Sequence, residues 1–443
     1  MTLVQYFIAD SSLFTMKQET EKLIDFIYHS PSPFHAVESV SQMLTAAGFE
    51  ELCLRERWQL KQGAKYFTRR NGSAIIAFTV GDSPAASGAR IVVAHTDSPT
   101  FRLKPDALVT SYGMPKLNVE TYGGAILHTW MDRPLGIAGR VAVRSSDPLH
   151  PRKLLVDFHR PVCVIPSVAI HFNRGVNENL SLNKQIDMPP LVGMNGAVLS
   201  STSLMDMIAA EAGVADSADI LDYDLNLYDT ERGNIVGLDE SLVLCPRLDD
   251  LQMVYAAVRA LIDTDTPSVT KVVALFDNEE VGSNTKQGAA SPLLVNVLER
   301  LAENLGLDAQ DRQRMLYNSF LISADSAHAL HPNHPELHDP VLHPVLNGGP
   351  VIKVNASQKY MTDGDSGAVF AAICEKAGVP YQRFVNRSDM AGGSTLGNIL
   401  TSQIDIRGVD IGAPLLGMHS ARETGGVADT TYTRQALDAF FAE

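Results

Sequence analysis

A chain of 443 residues is long enough to bury a large core, as two domains or as one large domain carrying an insertion. Hydrophobic residues make up 45% and charged residues 20%, an ordinary globular composition, and the net charge of −15 argues against a broad phosphate-binding surface and so against nucleic acid as a partner. The same charge disfavours long-range attraction of acidic ligands, so a preference for an acidic group has to come from a local pocket.

No stretch approaches the roughly 18 consecutive apolar residues that cross a bilayer, so no membrane partner is expected. The N-terminal MTLVQYFIADSSLFTMKQETEK has no basic leader, long apolar run or small-residue cleavage site. Its phenylalanines, Phe7 and Phe14, are expected to pack against the protein. Cys53, Cys163, Cys245 and Cys374 are widely spaced and form no CxxC pair. These features together predict a reducing, cytoplasmic setting.

In chain order, apolar residues at helical spacing predict a helix over 17–29, which SPSPF interrupts, and a second over 35–47, closed by Gly48. KYFTRR, SAIIAFTV and ARIVVAHTD read as strands, the last a buried central one that turns polar only at its C-terminal end. From Phe101 to Leu238 glycines, prolines and β-branched runs such as GRVAVRS, KLLVDF and VCVIPSVAI predict a β-rich unit, with one main helix near 199–213. From Ser241 onward, helix and strand alternate. DDLQMVYAAVRALI is a helix, SVTKVVALFDNEE a strand and loop, SPLLVNVLERLAENL a helix, and SFLISADSAHA a strand and loop. GAVFAAICEKAG, PYQRFV, DIRGVDIG and a helix from about Thr430 close the chain. This alternation predicts an α/β sandwich with a mixed sheet, built from residues 1–100 and 241–443, with 101–240 inserted.

Five places carry chemistry. In VVAHTDSP, His95 and Asp97 lie two positions apart at a strand end, on the ligand-binding edge of an open α/β sheet. An imidazole there suits zinc and a nearby carboxylate can orient it, although capping and solvation account for such a pair equally well. In CPRLDD, Asp249 or Asp250 caps the following helix or bridges two metals, since one carboxylate has an oxygen for each. In ALFDNEEVGS, Glu279 and Glu280 follow an apolar run directly, where unpaired carboxylates are costly unless the loop is solvated. One Glu binding metal while the other acts as general base resolves that cost. Asp325 follows the apolar SFLISA in the same way, and His419 follows DIRGVDIG and a turn. His328, His331, His334, His338 and His343 lie in a proline-rich irregular stretch and are expected to be hydrogen-bonded or solvated. Taken together, the set matches two metals about 3.5–4 Å apart sharing a carboxylate, the arrangement for hydrolysis. Zinc fits mixed N/O ligands, with cobalt or manganese as substitutes. No GxxxxGK[ST] is present and no GxGxxG follows a strand, so a nucleotide-binding protein is not supported.

The segments AHTDSP, RLKP, VETYGG, PSVAIHFNR, RLDD, EEVGS, SADSAHALHPNHPELHD, NGGPVIKVN, RSDM and MHSARE together resemble the M18 metallopeptidases, the aspartyl aminopeptidases and their bacterial relatives, along almost the whole chain. The resemblance implies a three-layer α/β sandwich of the zinc-peptidase/phosphorylase-like class with an inserted β-rich dimerisation domain. It implies that two zinc ions are held by His95, Asp249 and Asp325 and by Asp249, Glu280 and His419, with Asp249 bridging. Glu279 would be the general base and Asp97 would orient His95 or a neighbouring ligand. His171 would reach a neighbouring subunit's site and stabilise the intermediate, within dimers that build a tetrahedral dodecamer. The loop SDMAGGSTLGN departs from some relatives at Ala391–Gly392, where small residues still permit close backbone approach.

The expected substrates are peptides with a free N-terminus, acidic residues favoured. Lys353 and Lys359, in the segment resembling the family's substrate side, are the first candidates for the basic group this preference needs, ahead of Arg383 and Arg387. The competing readings are a related two-metal deacylase or carboxypeptidase, and a non-catalytic scaffold. The intact set of seven residues weighs against the scaffold.

Overall fold

The computed structural model describes residues 3–196 and 199–443, with side chains from Phe14 onward. The chain divides into two compact units, one comprising Met1–Asp97, Gly233–Met418 and Glu423–Glu443, the other Ser98–Arg232 and His419–Arg422.

The first unit is organised by a nine-stranded sheet. Its order is Glu50–Glu51, Lys65–Arg70, Ala74–Thr79, Thr270–Phe276, Ala89–His95, Phe320–Ala324, Arg407–Gly412, Val351–Lys353 and Gln382–Phe384. The four strands from Thr270–Phe276 to Arg407–Gly412 run parallel to their neighbours, and the strands flanking them pair antiparallel. The sheet is therefore mixed. Every residue of Thr270–Phe276 and of Phe320–Ala324 is buried. Strands covered on both faces read as unbroken apolar runs, which is how these segments stand in the sequence.

Alternation along the central strand divides two cores. Val92 and Ala94 pack with residues of the helices Leu248–Asp263 and Val427–Ala442, while Ile91 and Val93 join Leu294, Val297 and Leu301 of the helix Leu293–Asn304. A smaller sheet orders Asn234–Val236, Leu242–Cys245, Glu423–Gly426, Pro414–Leu416 and Ala327–His328. The architecture is thus mixed α/β with several sheets.

The first helix is longer than the periodicity indicates, running Leu3–Tyr28. Leu23, Ile24, Phe26 and Ile27 bury its last turns, and Ser32 then caps the helix Pro33–Ala46. Phe14 does not pack as expected and is 62% exposed, and the side chain of Phe7 lies outside the described residues.

In the second unit an antiparallel sheet orders Met114–Tyr122, Thr100–Ser111, Ile220–Asp229, Leu135–Val143 and Arg152–Asp157, with the helix Ser201–Glu211 against it. Phe101, Trp130, Ile137, Val141, Leu225 and Leu227 form its core. VCVIPSVAI is not a strand. Only isolated bridges at Cys163, Val164 and Ile165 form, and Pro161 and Pro166 supply no N–H to a ladder.

Candidate metal centre

Parallel strands end at one edge of a sheet, and the polar residues that follow them converge there. His95 is the last residue of its strand, Asp277 to Glu280 follow Phe276, and Asp325 follows Ala324. This is the edge at which open α/β sheets bind ligands.

Local backbone aims the side chains. Asn278 turns left-handed at φ 64°, a conformation asparagine tolerates, and Glu279 and Glu280 open a single 3₁₀ turn. Arg247 is left-handed at φ 57°, and the cis-linked Asp249 and Asp250 keep non-helical angles inside Leu248–Asp263. Neither aspartate is a conventional cap. Both are buried, and Asp250 Oδ2 accepts the backbone N–H of His95 at 3.1 Å.

Around His95 the distances are short. Nε2 lies 3.5 Å from Asp249 Oδ1 and 3.8 Å from Asp325 Oδ1, while Nδ1 lies 3.0 Å from the Asp97 carbonyl oxygen and 3.5 Å from Asp97 Oδ1. The Asp97 carboxylate also accepts the N–H groups of Glu279 and Glu280, each at 3.2 Å. Ligand atoms of His95, Asp249, Asp250 and Asp325 lie within 4.8 Å of one another, and so do those of His95, Glu279 and Glu280. The two groups share the imidazole. They form a buried cluster able to hold two metal ions.

The electrostatics ask for cations. Burial opposes protonation of His95, but the carboxylates of Asp250, Asp249, Asp325 and Asp97 hold its pKa well above the histidine range. Desolvation, with neighbouring acids, raises Asp250 and pushes Glu279 up to about 8. Lys353 is the lysine of this neighbourhood, its ammonium 3.5 Å from Asp325 Oδ2 and 5.7 Å from the Tyr360 ring centre. Burial opposes its charge, and Asp325, Tyr360 and Asp410 outweigh that and raise its pKa. One ammonium cannot offset six carboxyl groups, and Asp250 Oδ1 has no hydrogen-bond partner among the described residues. Carboxylates taken from water without compensation are costly, and the N/O donor set suits a divalent metal, so the residues fit the group.

The other expected residues lie as follows. His419 is half-buried, left-handed at φ 69°, and opens the His419–Arg422 segment of the second unit. His171 is exposed in a turn of that unit, not in a strand. Lys359 is exposed, as is Arg383, and Arg387 pairs with Asp389. His338 Nε2 accepts the His331 N–H at 3.0 Å, the rings of His331 and His334 are 5.1 Å apart, and His334 faces Glu336. Two contributors escaped the sequence reading. Asp250 was weighed only as an alternative to Asp249, and Glu423, a lone acid among small residues in SARETGG, is buried with its carboxylate on the Asp249 N–H at 2.9 Å.

Comparison with known proteins agrees with this site. Residues 26–441 match the family model described as aminopeptidase I zinc metalloprotease (M18). A probable M18 family aminopeptidase 2 of Clostridium acetobutylicum is 49% identical over 432 residues, covering 96% of this chain and 100% of the relative. Among solved structures, Ape4 in its complex with Nbr1 superposes with a TM-score of 0.93 at 37% identity, over 97% of this chain and 86% of that one. The S. cerevisiae mApe1 dodecamer gives a TM-score of 0.83 at 30% identity, over 96% of each chain.

Proposed function

The chain belongs to the M18 family of metalloprotease aminopeptidases and is a metal-dependent aminopeptidase, and we propose that it takes acidic residues first from the free N-terminus of peptides. The observation that carries the aminopeptidase reading is the buried pair of ligand groups sharing His95 at the carboxyl ends of parallel strands.

In this reading two zinc ions are the physiological pair, with cobalt or manganese as substitutes. His95, Asp249 and Asp325 would hold one and Asp249, Glu280 and His419 the other, with Asp249 as the shared ligand. The bound pair supplies Lewis-acid polarisation of the scissile carbonyl and lowers the pKa of a water to near neutrality. Glu279 takes the proton from the attacking water and delivers it to the leaving amine. Its environment supports that role, because burial and its acidic neighbours raise the basicity of its carboxylate, while bound cations would favour the ionised form that accepts a proton. Asp97 positions His95 and, through the two N–H groups it accepts, the turn bearing Glu279 and Glu280.

An acidic P1 side chain needs a cation, and Lys353 and Lys359 are the residues proposed to supply it. Lys353 is already paired with Asp325, so its contribution is shared with the metal ligand. Lys359 is exposed.

The catalytic domain is taken as residues 1–100 and 241–443, a three-layer sandwich of the zinc-peptidase/phosphorylase-like class, and 101–240 as the insert that pairs subunits. The solved dodecamer of a 30% identical relative supports a dodecameric assembly, which in this reading is tetrahedral and built from dimers. His171, which is exposed, is proposed to reach a neighbouring subunit's site and stabilise the developing oxyanion there. No helix among the described residues is long and apolar enough to cross a membrane. Cys53, Cys163, Cys245 and Cys374 are in no disulfide, which supports the proposed cytoplasmic compartment.

The test is hydrolysis of short peptides by the zinc-loaded enzyme, comparing N-terminal Asp, Glu, Leu and Lys, each with an N-acetylated control. Faster release of Asp and Glu, with acetylated peptides inert, is expected. Equal release of all four residues removes the acidic pocket, and cleavage of acetylated peptides removes the aminopeptidase reading.

A further inference from the structure

The segment that carries His419 is held by a buried polar network in the second unit. The Arg422 guanidinium is almost wholly buried and meets Asp229 Oδ2 at 3.4 Å, the Glu231 carbonyl at 3.1 Å and the Arg232 carbonyl at 2.7 Å. Asp229 Oδ2 also accepts from Arg133 at 3.2 Å, and Arg133 reaches the Thr129 carbonyl at 2.6 Å. Thr129 Oγ1 in turn accepts the Ala421 N–H at 2.9 Å, and the Ile126 N–H donates to the His419 carbonyl at 3.0 Å. Every residue from His419 to Arg422 is thus tied to this network, Ser420 through its hydroxyl, which donates to the Arg422 carbonyl. On the other side of the imidazole, a Cβ on Gly124 would stand 3.3 Å from His419 Nδ1 and 3.8 Å from Cε1. Gly124 has no left-handed backbone to preserve, so the ring's seat accounts for the glycine.

We propose that Arg422, Asp229, Arg133 and Gly124 are positioning residues for His419, so that the second unit, beyond any part in pairing subunits, builds the seat of one metal ligand. The proposal rests on the reading of His419 as a ligand of the second metal. A residue held at positive φ without being glycine needs its surroundings to over-determine it. A buried arginine clamped by the Asp229 and Glu231 carboxylates and two carbonyls does this, since its planar fork leaves little freedom once bonded. The imidazole then meets a metal without first being ordered, the usual way in which outer partners raise ligand affinity.

The test counts zinc by mass spectrometry after dialysis of the loaded full-length protein, and measures the weaker site's Kd by chelator competition, with melting temperature recorded alongside. His419→Ala is expected to leave one zinc per chain. Asp229→Asn and Gly124→Ala are each expected to weaken the second zinc by about 10–100-fold while the first is kept. Arg422→Lys should fall between wild type and Asp229→Asn. Asp224→Asn, which breaks the Arg140 pair in the same sheet, should keep both metals at wild-type affinity. Two zincs retained by His419→Ala overturn the ligand reading and the proposal with it. One zinc in His419→Ala, with unchanged second-site affinity in both Asp229→Asn and Gly124→Ala, overturns the positioning alone. So does a loss in Asp224→Asn equal to theirs, because the effect would then follow general destabilisation.

Discussion

The buried carboxylate of Glu423 accepts the backbone N–H of Asp249 at 2.9 Å across 174 residues of sequence. Asp249 lies at the entry to its helix with non-helical angles, where its N–H has no helical partner, so this bond anchors the aspartate that faces His95. Glu423→Ala leaves a buried donor unsatisfied, a loss of about 1–3 kcal/mol. Glu423→Gln keeps an acceptor oxygen and should cost less. Chemical denaturation and zinc titration of the two variants check this, and equal behaviour of Ala and Gln would remove the anchoring role.

Asp97 touches three partners with one carboxylate. Asp97→Asn replaces one acceptor oxygen by a donor, which then faces an N–H or the imidazole. The expected result is a fall in zinc affinity or kcat of about 10–100-fold, with the fold intact. Circular dichroism beside the kinetics separates this from unfolding.

Glu279→Gln removes the proposed proton carrier and keeps its shape. We expect kcat to drop by about 10²–10⁴-fold, with zinc content unchanged and KM altered little. Near-normal turnover with two zincs bound would assign the base elsewhere.

Without metal, Glu279 stays largely protonated at pH 7, because burial and its acidic neighbours hold it near 8. Two cations beside it favour the carboxylate, so zinc uptake at pH 7 should release protons, and less so as pH rises past about 8. Calorimetry in buffers of different ionisation enthalpy measures the release. The stability of the metal-free protein carries the matching sign. A carboxyl raised on folding leaves the unfolded chain to ionise first, so stability falls as pH rises from about 4.5 to 8. Glu279→Gln should flatten that fall in a melting series with chelator present, and an unchanged slope would assign the pH dependence to other groups.

Much of the first unit was legible in the sequence, for reasons visible in single segments. VVALF and the IVVA of Ala89–His95 are buried on both faces, so burial alone dictates an unbroken apolar run that stands out in the chain. Where such a run ends in HTD, DNEE or AD, the abrupt polarity marks the strand's carboxyl edge. VCVIPSVAI misled because its β-branched content suggests a strand, although Pro166 within it and Pro161 before it supply no N–H to a ladder. The extra length of the first helix was hidden by the weak amphipathicity of Leu3–Tyr28 as a whole.

The sequence by itself determined the residue types of the centre and their places at strand ends, since these follow from local periodicity and from the cost of burying bare carboxylates. Tertiary structure alone decided which of them meet. The parallel order of Thr270–Phe276, Ala89–His95 and Phe320–Ala324 sets His95, Glu279 and Asp325 at one sheet edge, and Asp250, 155 residues from His95, comes to it from the start of the helix Leu248–Asp263. It also decided that Asp250 faces the His95 N–H, that Lys353 pairs with Asp325, and that Glu423 anchors Asp249. Strand pairing and burial are non-local, and a short carboxylate selects its partner only once both backbones are in place.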